Sequence, residues 1–234
     1  MGFQGSDIGV ATSETLDPGS WEDHGSIGLP KSDKYNLIDP NLFQDNGQLR
    51  LSFGSYWRDI FQVKLDDPPL SHSGSTPQNI IYNSTTPQCV AEGATLFKWD
   101  NKYYFFFSVG QCCNTPPDLA KPGDEYRVMV CRSDSATGPF VDQGGRDCLT
   151  QNGGTLVLGS HDDVYAPGGQ GLMYDDTAKR PVMYYHYGEW TSAPPSDRHT
   201  KDLALVRPSV GYEAEQFFFG FNYLDFQSGW PVIP

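Results

Sequence analysis

Two acidic residues, Asp39 and Glu92, stand at matching places in the sequence, each at the entry of a run that predicts a β-strand. Glu92 lies between Ala91 and Gly93, at the mouth of such a run. A carboxylate beside a buried sheet is partly desolvated, and its acid form then becomes available near neutrality. Two carboxylates brought together could protonate a leaving oxygen and activate water, which is the chemistry of glycosidic cleavage. The alternative is that both are solvated turn carboxylates.

The run that begins at Glu92 predicts a hairpin. A polar turn at residues 99–102 leads into five successive aromatic residues at positions 103–107. A strand with one wet face alternates apolar and polar residues, so the aromatic run predicts a strand buried on both faces.

An internal repeat surrounds this hairpin. The strand pattern at residues 8–13, with its turn at 17–25, is repeated at residues 128–133 and 138–144, and Ser13 matches Ser133 at an offset of 120. Further outer strands are predicted at 60–65 and 203–207, and further inner hairpins at 38–54 and 166–188. Asp39, Glu92 and the step at residues 166–169 each open the inner strand of one unit.

Repeated antiparallel units of roughly 60 residues are typical of the blades of a β-propeller. The alternative, a β-sandwich, would not produce the repeat, and no helical periodicity of useful length is present. We expect a single all-β domain over residues 1–234, with three whole units, a half unit at the start and a tail from residue 217. Because propellers have about four to eight blades, we expect the ring of blades to be incomplete.

Net charge and composition argue against several classes of binding partner. The net charge of −13 argues against nucleic acid or an anionic membrane, which need a basic face, and no apolar stretch approaches the ~20 residues of a membrane helix. None of the cysteines has C-x-x-C spacing, so no structural metal is expected; they are Cys89, Cys112, Cys113, Cys131 and Cys148. The sequon at Asn83 fits a secreted glycoprotein. The first residues lack the features of a signal peptide, so we expect the beginning to be missing.

Several ordered motifs resemble glycoside hydrolase family 43, and within it the fungal endo-1,5-α-L-arabinanases. The resemblance runs from residue 6 to residue 234, and its motifs lie at residues 35–43, 52–57, 90–93, 108–113, 159–168 and 222–231. It implies a five-bladed β-propeller that here lacks the first blade and the start of the second, and therefore forms an open ring.

The same resemblance implies an inverting mechanism with three carboxylates. Glu92 would be the general acid, and Asp39 the aspartate that orients this acid and modulates its pKa. The family's general base lies in the first blade, so it is expected to be absent from this chain. The residues expected to bind substrate are Asn36, Ser55, Tyr56, Trp57, Cys112, Cys113 and His161.

The implied substrate is arabinan, a side-chain polysaccharide of pectin, and the complete protein is expected to be an extracellular monomer that requires no cofactor. Bacterial relatives carry a channel histidine that helps hold a calcium-like ion, but here the matching position is Gly169, so a channel ion is possible but cannot be carried over to this chain, and no metal ligand is assigned. Three points stay open at this stage. Cys112 and Cys113 form either a vicinal disulfide or two free thiols, and His161 lies either in the channel or in a loop. The protein is an endo-arabinanase, a catalytically dead glycan-binding propeller, or a xylosidase or exo-arabinosidase of the same superfamily.

Overall fold

The computed structural model describes residues 5–85, 90–114, 119–189 and 217–234. Within these ranges the regular elements are fifteen β-strands, with no helix and therefore no helix able to cross a membrane. The strands are β1 (Gly9–Thr12), β2 (Glu22–Ser26), β3 (Asn41–Asp45), β4 (Gln48–Phe53), β5 (Ile60–Lys64), β6 (Gln78–Ile81), β7 (Ala91–Trp99), β8 (Lys102–Val109), β9 (Arg127–Ser133), β10 (Thr155–Leu158), β11 (Val164–Asp175), β12 (Arg180–Glu189), β13 (Phe218–Tyr223), β14 (Asp225–Gln227) and β15 (Trp230–Val232).

The strands form five antiparallel sheets in which neighbours in sequence are neighbours in space. Two sheets have four strands, β3 to β6 and β7 to β10; one has three, β11 to β13; and the pairs β1–β2 and β14–β15 have two each. These elements confirm the predicted all-β class and the inner hairpins. The strand predicted at residues 203–207 lies outside the described residues.

Three apolar layers separate successive sheets. The first packs the β1–β2 region on the β3–β6 sheet through Ile27, Leu51 and Val63. The second lies between the β3–β6 and β7–β10 sheets, and the third between the β7–β10 and β11–β13 sheets. Face-to-face packing of this kind is what a series of blades requires.

Strand β8 shows why its sequence is aromatic throughout. Phe105 and Phe107 enter the second layer, whereas Tyr104 and Phe106 point the other way into the third. Because successive side chains of a strand leave opposite faces, a strand between two apolar layers needs large apolar residues at every position. The predicted two-sided burial is therefore confirmed.

One face of the three-stranded sheet is exposed in the described part of the chain. Tyr184 on β12 pairs with Phe221 on β13, and its ring stacks on Phe219 with 6.1 Å between the ring centres. Phe219 is 72% exposed. This face is defined here as the β13 aromatic face: Tyr184, Phe219 and Phe221.

Four cysteines form two disulfides. Cys131 on β9 bonds to Cys148, which lies in the loop that precedes β10. Cys112 bonds to its neighbour Cys113, so the vicinal disulfide is the alternative that the structure supports over two free thiols. Cys89 lies outside the described residues.

Candidate active site

Asp39 and Glu92 approach one another where two inner strands begin. Asp39 lies just before β3 in a left-handed conformation (φ 55°), and Glu92 is the second residue of β7, opposite Ser108 on β8. The pairing of β7 with β8 is interrupted between Glu92 and Thr95, where Gly93 has φ 58°. Such a bulge re-aims the backbone, and here the N–H of Gly93 donates to Oδ2 of Asp39 at 3.1 Å.

Two hydroxyl groups hold the Glu92 carboxylate. The Ser55 hydroxyl donates to Oε2, and the Tyr126 hydroxyl donates to Oε1 at 3.0 Å. An ionised carboxylate can only accept hydrogen bonds, so both hydroxyls act as donors when Glu92 is charged. The two contacts fix both oxygens, and with them the plane of the carboxyl group.

Burial and mutual repulsion change the acidity around this pair. Burial raises the pKa of Asp39, the Gly93 N–H opposes that change, and the charge of Glu92 raises the pKa further. Burial raises the pKa of Tyr126 well above its usual value, and nearby Glu92 adds to this. Tyr126 therefore stays a neutral hydrogen-bond donor over the whole working range of a protein.

A third carboxylate, Asp59, lies behind the turn that carries Ser55. It is 3% exposed, and its Oδ2 accepts the N–H of Asn83 at 2.7 Å. Burial raises the pKa of Asp59 to about 7, against the opposing N–H groups of Asn83 and Ala91, and the charge of Glu92 raises it further.

A buried amide connects the second four-stranded sheet to the three-stranded sheet beneath the carboxylates. Nε2 of Gln170 donates to the carbonyl of Gly93 at 2.6 Å, and its Oε1 accepts the Ser108 hydroxyl at 2.7 Å. The Thr95 hydroxyl donates to the backbone carbonyl of Gln170 at 2.9 Å. Gly93, which holds Asp39, is thus itself held from the neighbouring blade.

Gly168 makes room for Tyr126. A Cβ at position 168 would lie 2.0 Å from Cδ1 of the Tyr126 ring and 3.0 Å from the Ser108 hydroxyl oxygen. The ring therefore rests directly on backbone, and a residue with a side chain would push it away from Glu92.

A cleft of about 340 Å³ opens where the three inner strands converge. Asp39 and Gly93 line it, whereas the Glu92 side chain lies beside the lining. The remaining lining residues are Pro40, Asn41, Ala94, Thr95, Gly169, Gln170, Gly171, Leu172 and Tyr184. The cleft therefore lies where the entries of three inner strands meet, and the central channel stays a prediction.

The other residues predicted to bind substrate are distributed around this centre. Ser55, Tyr56 and Trp57 share one turn between β4 and β5, with Ser55 buried, Trp57 half-buried and Tyr56 exposed. Asn36 accepts a hydrogen bond from the Ser6 hydroxyl at 3.0 Å, and it does not line the cleft.

The vicinal disulfide and His161 also lie outside the cleft lining. Cys112 packs against Tyr126 and Tyr165, so it supports the tyrosine that holds Glu92. His161 is exposed in the turn before β11, where its Nδ1 lies 2.9 Å from the carbonyl oxygen of Gly159.

Sequence reasoning missed Tyr126, Asp59, Gly168 and Gln170. A signal existed for Asp59, which is a charged residue directly before the predicted strand that begins with Ile60 and Phe61. Tyr126 and Gln170 carry no such mark, because a tyrosine before a strand and a glutamine inside one are ordinary residues until their distant partners are known.

The position at which the resemblance would place an ion-holding histidine is Gly169. Gly169 supplies no ligand, and a Cβ at this position would lie 3.2 Å from Nε2 of His186, whose pKa is lowered by burial. Among the described residues, no group of three histidine, cysteine, aspartate or glutamate side chains could hold a metal ion.

Comparison with known proteins supports a single family. The model of the glycosyl hydrolases of family 43 matches residues 2–206. Arabinan endo-1,5-α-L-arabinosidase A of Aspergillus aculeatus is 47% identical over 235 residues, and the protein of that name from Aspergillus niger is 43% identical; each alignment covers the whole chain and 66% of the relative. The chain thus spans 66% of the length of these curated relatives.

Solved structures show the same architecture. The α-L-arabinanase of Cellvibrio cellulosa aligns with a TM-score of 0.76 at 26% identity, covering 97% of this chain and 68% of that structure. An endo-arabinanase of Bacillus licheniformis aligns with a TM-score of 0.75 at 26% identity, covering 97% and 67%. The all-β arrangement of successive sheets is therefore of the propeller type.

Proposed function

Because the chain belongs to the glycosyl hydrolases of family 43, we propose that the protein hydrolyses internal α-1,5-L-arabinofuranosidic bonds of arabinan. One observation carries the proposal: the carboxylate of Glu92 is fixed by two hydroxyls, and its neighbours Asp39 and Gly93 line a cleft. The curated relatives are named as arabinan endo-1,5-α-L-arabinosidases, which indicates the substrate class.

In the proposed reaction Glu92 is the general acid. It gives its proton to the glycosidic oxygen as the bond to the anomeric carbon breaks, while water attacks from the opposite face and inverts the configuration. Ser55 and Tyr126 keep the acid in one orientation, which general acid catalysis requires. Asp39 accepts the N–H of Gly93, the residue that follows Glu92, and in the proposed reaction it orients the acid.

The proposed mechanism also needs a general base to activate the water. In the described part of the chain, Asp39 is the carboxylate that lines the cleft, and it already serves the acid. We therefore propose that the described residues supply no base. In the complete fold, a five-bladed ring, the base belongs to the first blade, which together with the start of the second lies outside this chain and leaves the ring open.

The proposed absence of a base among the described residues favours a second function. A propeller that binds arabinan without cleaving it needs the cleft and the aromatic residues of the Ser55–Trp57 turn, but not a base. An exo-acting arabinanase or a xylosidase of the same superfamily is distinguished from the endo-acting enzyme by its products. An endo-acting enzyme releases a mixture of oligosaccharides, whereas an exo-acting enzyme releases one small product from the chain end.

We infer that the complete protein is an extracellular glycoprotein that acts as a monomer. Two disulfides among the described residues support this, because disulfides persist in oxidising compartments. The net charge of −13 suits a neutral polysaccharide as partner and disfavours nucleic acid and anionic membranes. Neither the proposed acid nor Asp39 needs a cofactor.

The test uses linear arabinan with the unmodified chain, Glu92→Gln and a matched control, Asp176→Asn, whose side chain is 88% exposed. Hydrolysis by the unmodified chain and the control, slow because of the proposed absence of a base but lowered by a further factor of roughly 10² or more in Glu92→Gln, supports the enzyme. Equal binding by all three proteins with no hydrolysis supports the binding function instead. Absence of both binding and hydrolysis in the unmodified chain would contradict each proposal.

A further inference from the structure

The buried carboxylate of Asp59 has no part in the reaction just described, although it lies close to the proposed acid. It does not line the cleft and is 3% exposed, so it can act on neither substrate nor water. Its contacts instead join three separate segments of the chain, two of which carry a group of the acid centre.

The first segment is the turn from Gly54 to Asp59, which carries Ser55. The turn is tight, because a Cβ at Gly54 would lie 2.1 Å from the carbonyl oxygen of Asp59. The N–H of Asp59 donates to the carbonyl of Tyr56 at 2.7 Å. Tyr56, Trp57 and Asp59 all have φ between 53° and 59°. Left-handed conformations of residues other than glycine each cost about 1–3 kcal/mol and persist only where surrounding contacts hold them.

The other two segments meet at the carboxylate itself. Its Oδ2 accepts the N–H of Asn83, which follows β6, at 2.7 Å. The N–H of Ala91, a fully buried residue that directly precedes Glu92, lies near enough to the carboxylate to oppose the rise in its pKa. The hydrogen bond to Asn83 thus anchors the Ser55 turn to the backbone after β6, and the start of the strand that carries Glu92 lies next to the same carboxylate.

We propose that Asp59 is a positioning residue that holds the Ser55 hydroxyl against Glu92. Without this connection the strained turn could relax, and Ser55 would leave Oε2 of Glu92. Tyr126 would then be the remaining side-chain donor to the acid among the contacts described above, and the carboxyl group could rotate. The catalytic part of this inference rests on the proposed role of Glu92, whereas the structural part does not.

Asp142 supplies a matched control. It is also 3% exposed and also holds a tight turn, where it accepts the backbone N–H groups of Arg146 and Gly154 at 2.9 and 3.2 Å. That turn lies between β9 and β10, and its contacts do not include Ser55 or Glu92. A general loss of folding would be shared by variants of both aspartates, whereas a positioning effect belongs to Asp59 alone.

The experiment measures amide hydrogen exchange by mass spectrometry in Asp59→Ala, Asp59→Asn and Asp142→Ala. In Asp59→Ala we expect exchange in residues 54–59 and 91–97 to accelerate by about 10- to 100-fold, with no change in the turn at 142–154. Asp59→Asn restores part of the protection, because its side-chain carbonyl still accepts one N–H. In Asp142→Ala we expect exchange to accelerate in the turn at 142–154 and to stay unchanged in residues 54–59 and 91–97. Unchanged exchange at both Asp59 segments, or the same acceleration across the whole chain, would overturn the proposal.

Asp59→Asn is the variant that decides the question if Asp59→Ala fails to fold. With linear arabinan, Asp59→Asn is expected to lower kcat by about 10-fold or more while KM stays within about twofold, because only the orientation of the acid is lost. An unchanged kcat would contradict the catalytic part. If the unmodified chain neither binds nor cleaves arabinan, the proposed function fails, and the exchange pattern still decides whether Asp59 holds the two segments together.

Discussion

At the scale of single residues, the acid centre is formed by side chains that lie far apart in the sequence. Asp39 and Glu92 could be predicted, because the repeat places both at the entry of an inner strand. Tyr126 could not, because nothing in the surrounding sequence distinguishes it, and Asp59 carried only the sign of a charged residue directly before a predicted strand. Their importance comes from burial and from hydrogen bonds that only the folded chain creates.

Gly168 provides a steric test of the Tyr126 contact. In Gly168→Ala the new methyl group would lie 2.0 Å from the tyrosine ring, so the ring must move and its hydroxyl must leave Glu92. We expect overpacking to lower stability by about 1–3 kcal/mol and arabinan turnover to fall by about 10-fold or more. The control is Gly5→Ala, where a Cβ meets nothing within 4 Å. Equal activity of the two variants, measured on linear arabinan, would show that the ring position is unimportant.

Asp59 also makes stability depend on pH. Its pKa is about 7 in the folded protein and 3.8 in the unfolded chain, so the folded state binds the proton more tightly. The free energy of unfolding therefore falls as pH rises from about 4 to about 7, by roughly 1.4 kcal/mol per pH unit from this group. Denaturant unfolding of the unmodified chain and Asp59→Asn at several pH values measures the difference. A difference that stays constant over this window, as expected for the exposed control Asp176→Asn, would contradict the prediction.

At the scale of elements, the sequence predicts strands well where burial is complete. The aromatic run of β8 could belong only to a strand between two apolar layers, and the sheets confirm it. The entries of the inner strands were harder to predict, because a bulge after Glu92 and the left-handed turn at Tyr56 depend on contacts between blades. Local propensity contains no information about such contacts.

Replacing a large side chain at the centre of β8 by alanine tests the packing of this strand between two apolar layers. Phe105 is fully buried and packs edge-on against Phe140, with 5.1 Å between ring centres. Phe105→Ala should lower the free energy of unfolding by about 3–5 kcal/mol. Leu156→Ala, at an exposed position on β10, should change it by less than about 0.5 kcal/mol. Thermal and denaturant unfolding of both variants measures the two changes in the free energy of unfolding. Equal losses in both variants would show that burial of the side chain does not determine the effect.

At the scale of the whole molecule, the β13 aromatic face is expected to affect how the chain behaves in solution. Phe219 and Leu16 are equally exposed, at 72%, but Phe219 lies beside Tyr184 and Phe221 in one patch. Contiguous apolar patches favour association. We expect the chain to self-associate in sedimentation velocity experiments, and the double variant Phe219→Ser, Phe221→Ser to reduce this strongly, whereas Leu16→Ser leaves it unchanged. A monodisperse monomer of the unmodified chain would contradict this expectation.

Turnover by the whole chain follows from the proposed absence of a base. A missing general base typically costs about 10²–10⁴-fold in rate. We therefore expect residues 1–234 to cleave linear arabinan that much more slowly than a relative with three cleft carboxylates, when compared at equal protein concentration. Comparable rates would mean that another group activates the water.

The hydrogen bonds of Gln170 that connect the second four-stranded sheet to the three-stranded sheet, called the Gln170 bridge, have a consequence for the protein at low pH. The partners of the Gln170 amide are the Gly93 carbonyl and the Ser108 hydroxyl, and neither these groups nor the amide gains or loses a proton between pH 3 and pH 9. The hydrogen bonds of the bridge therefore do not depend on the protonation of Asp39, whose pKa is raised by burial. A fall in the pH of the medium within that range leaves this contact between the two sheets in place.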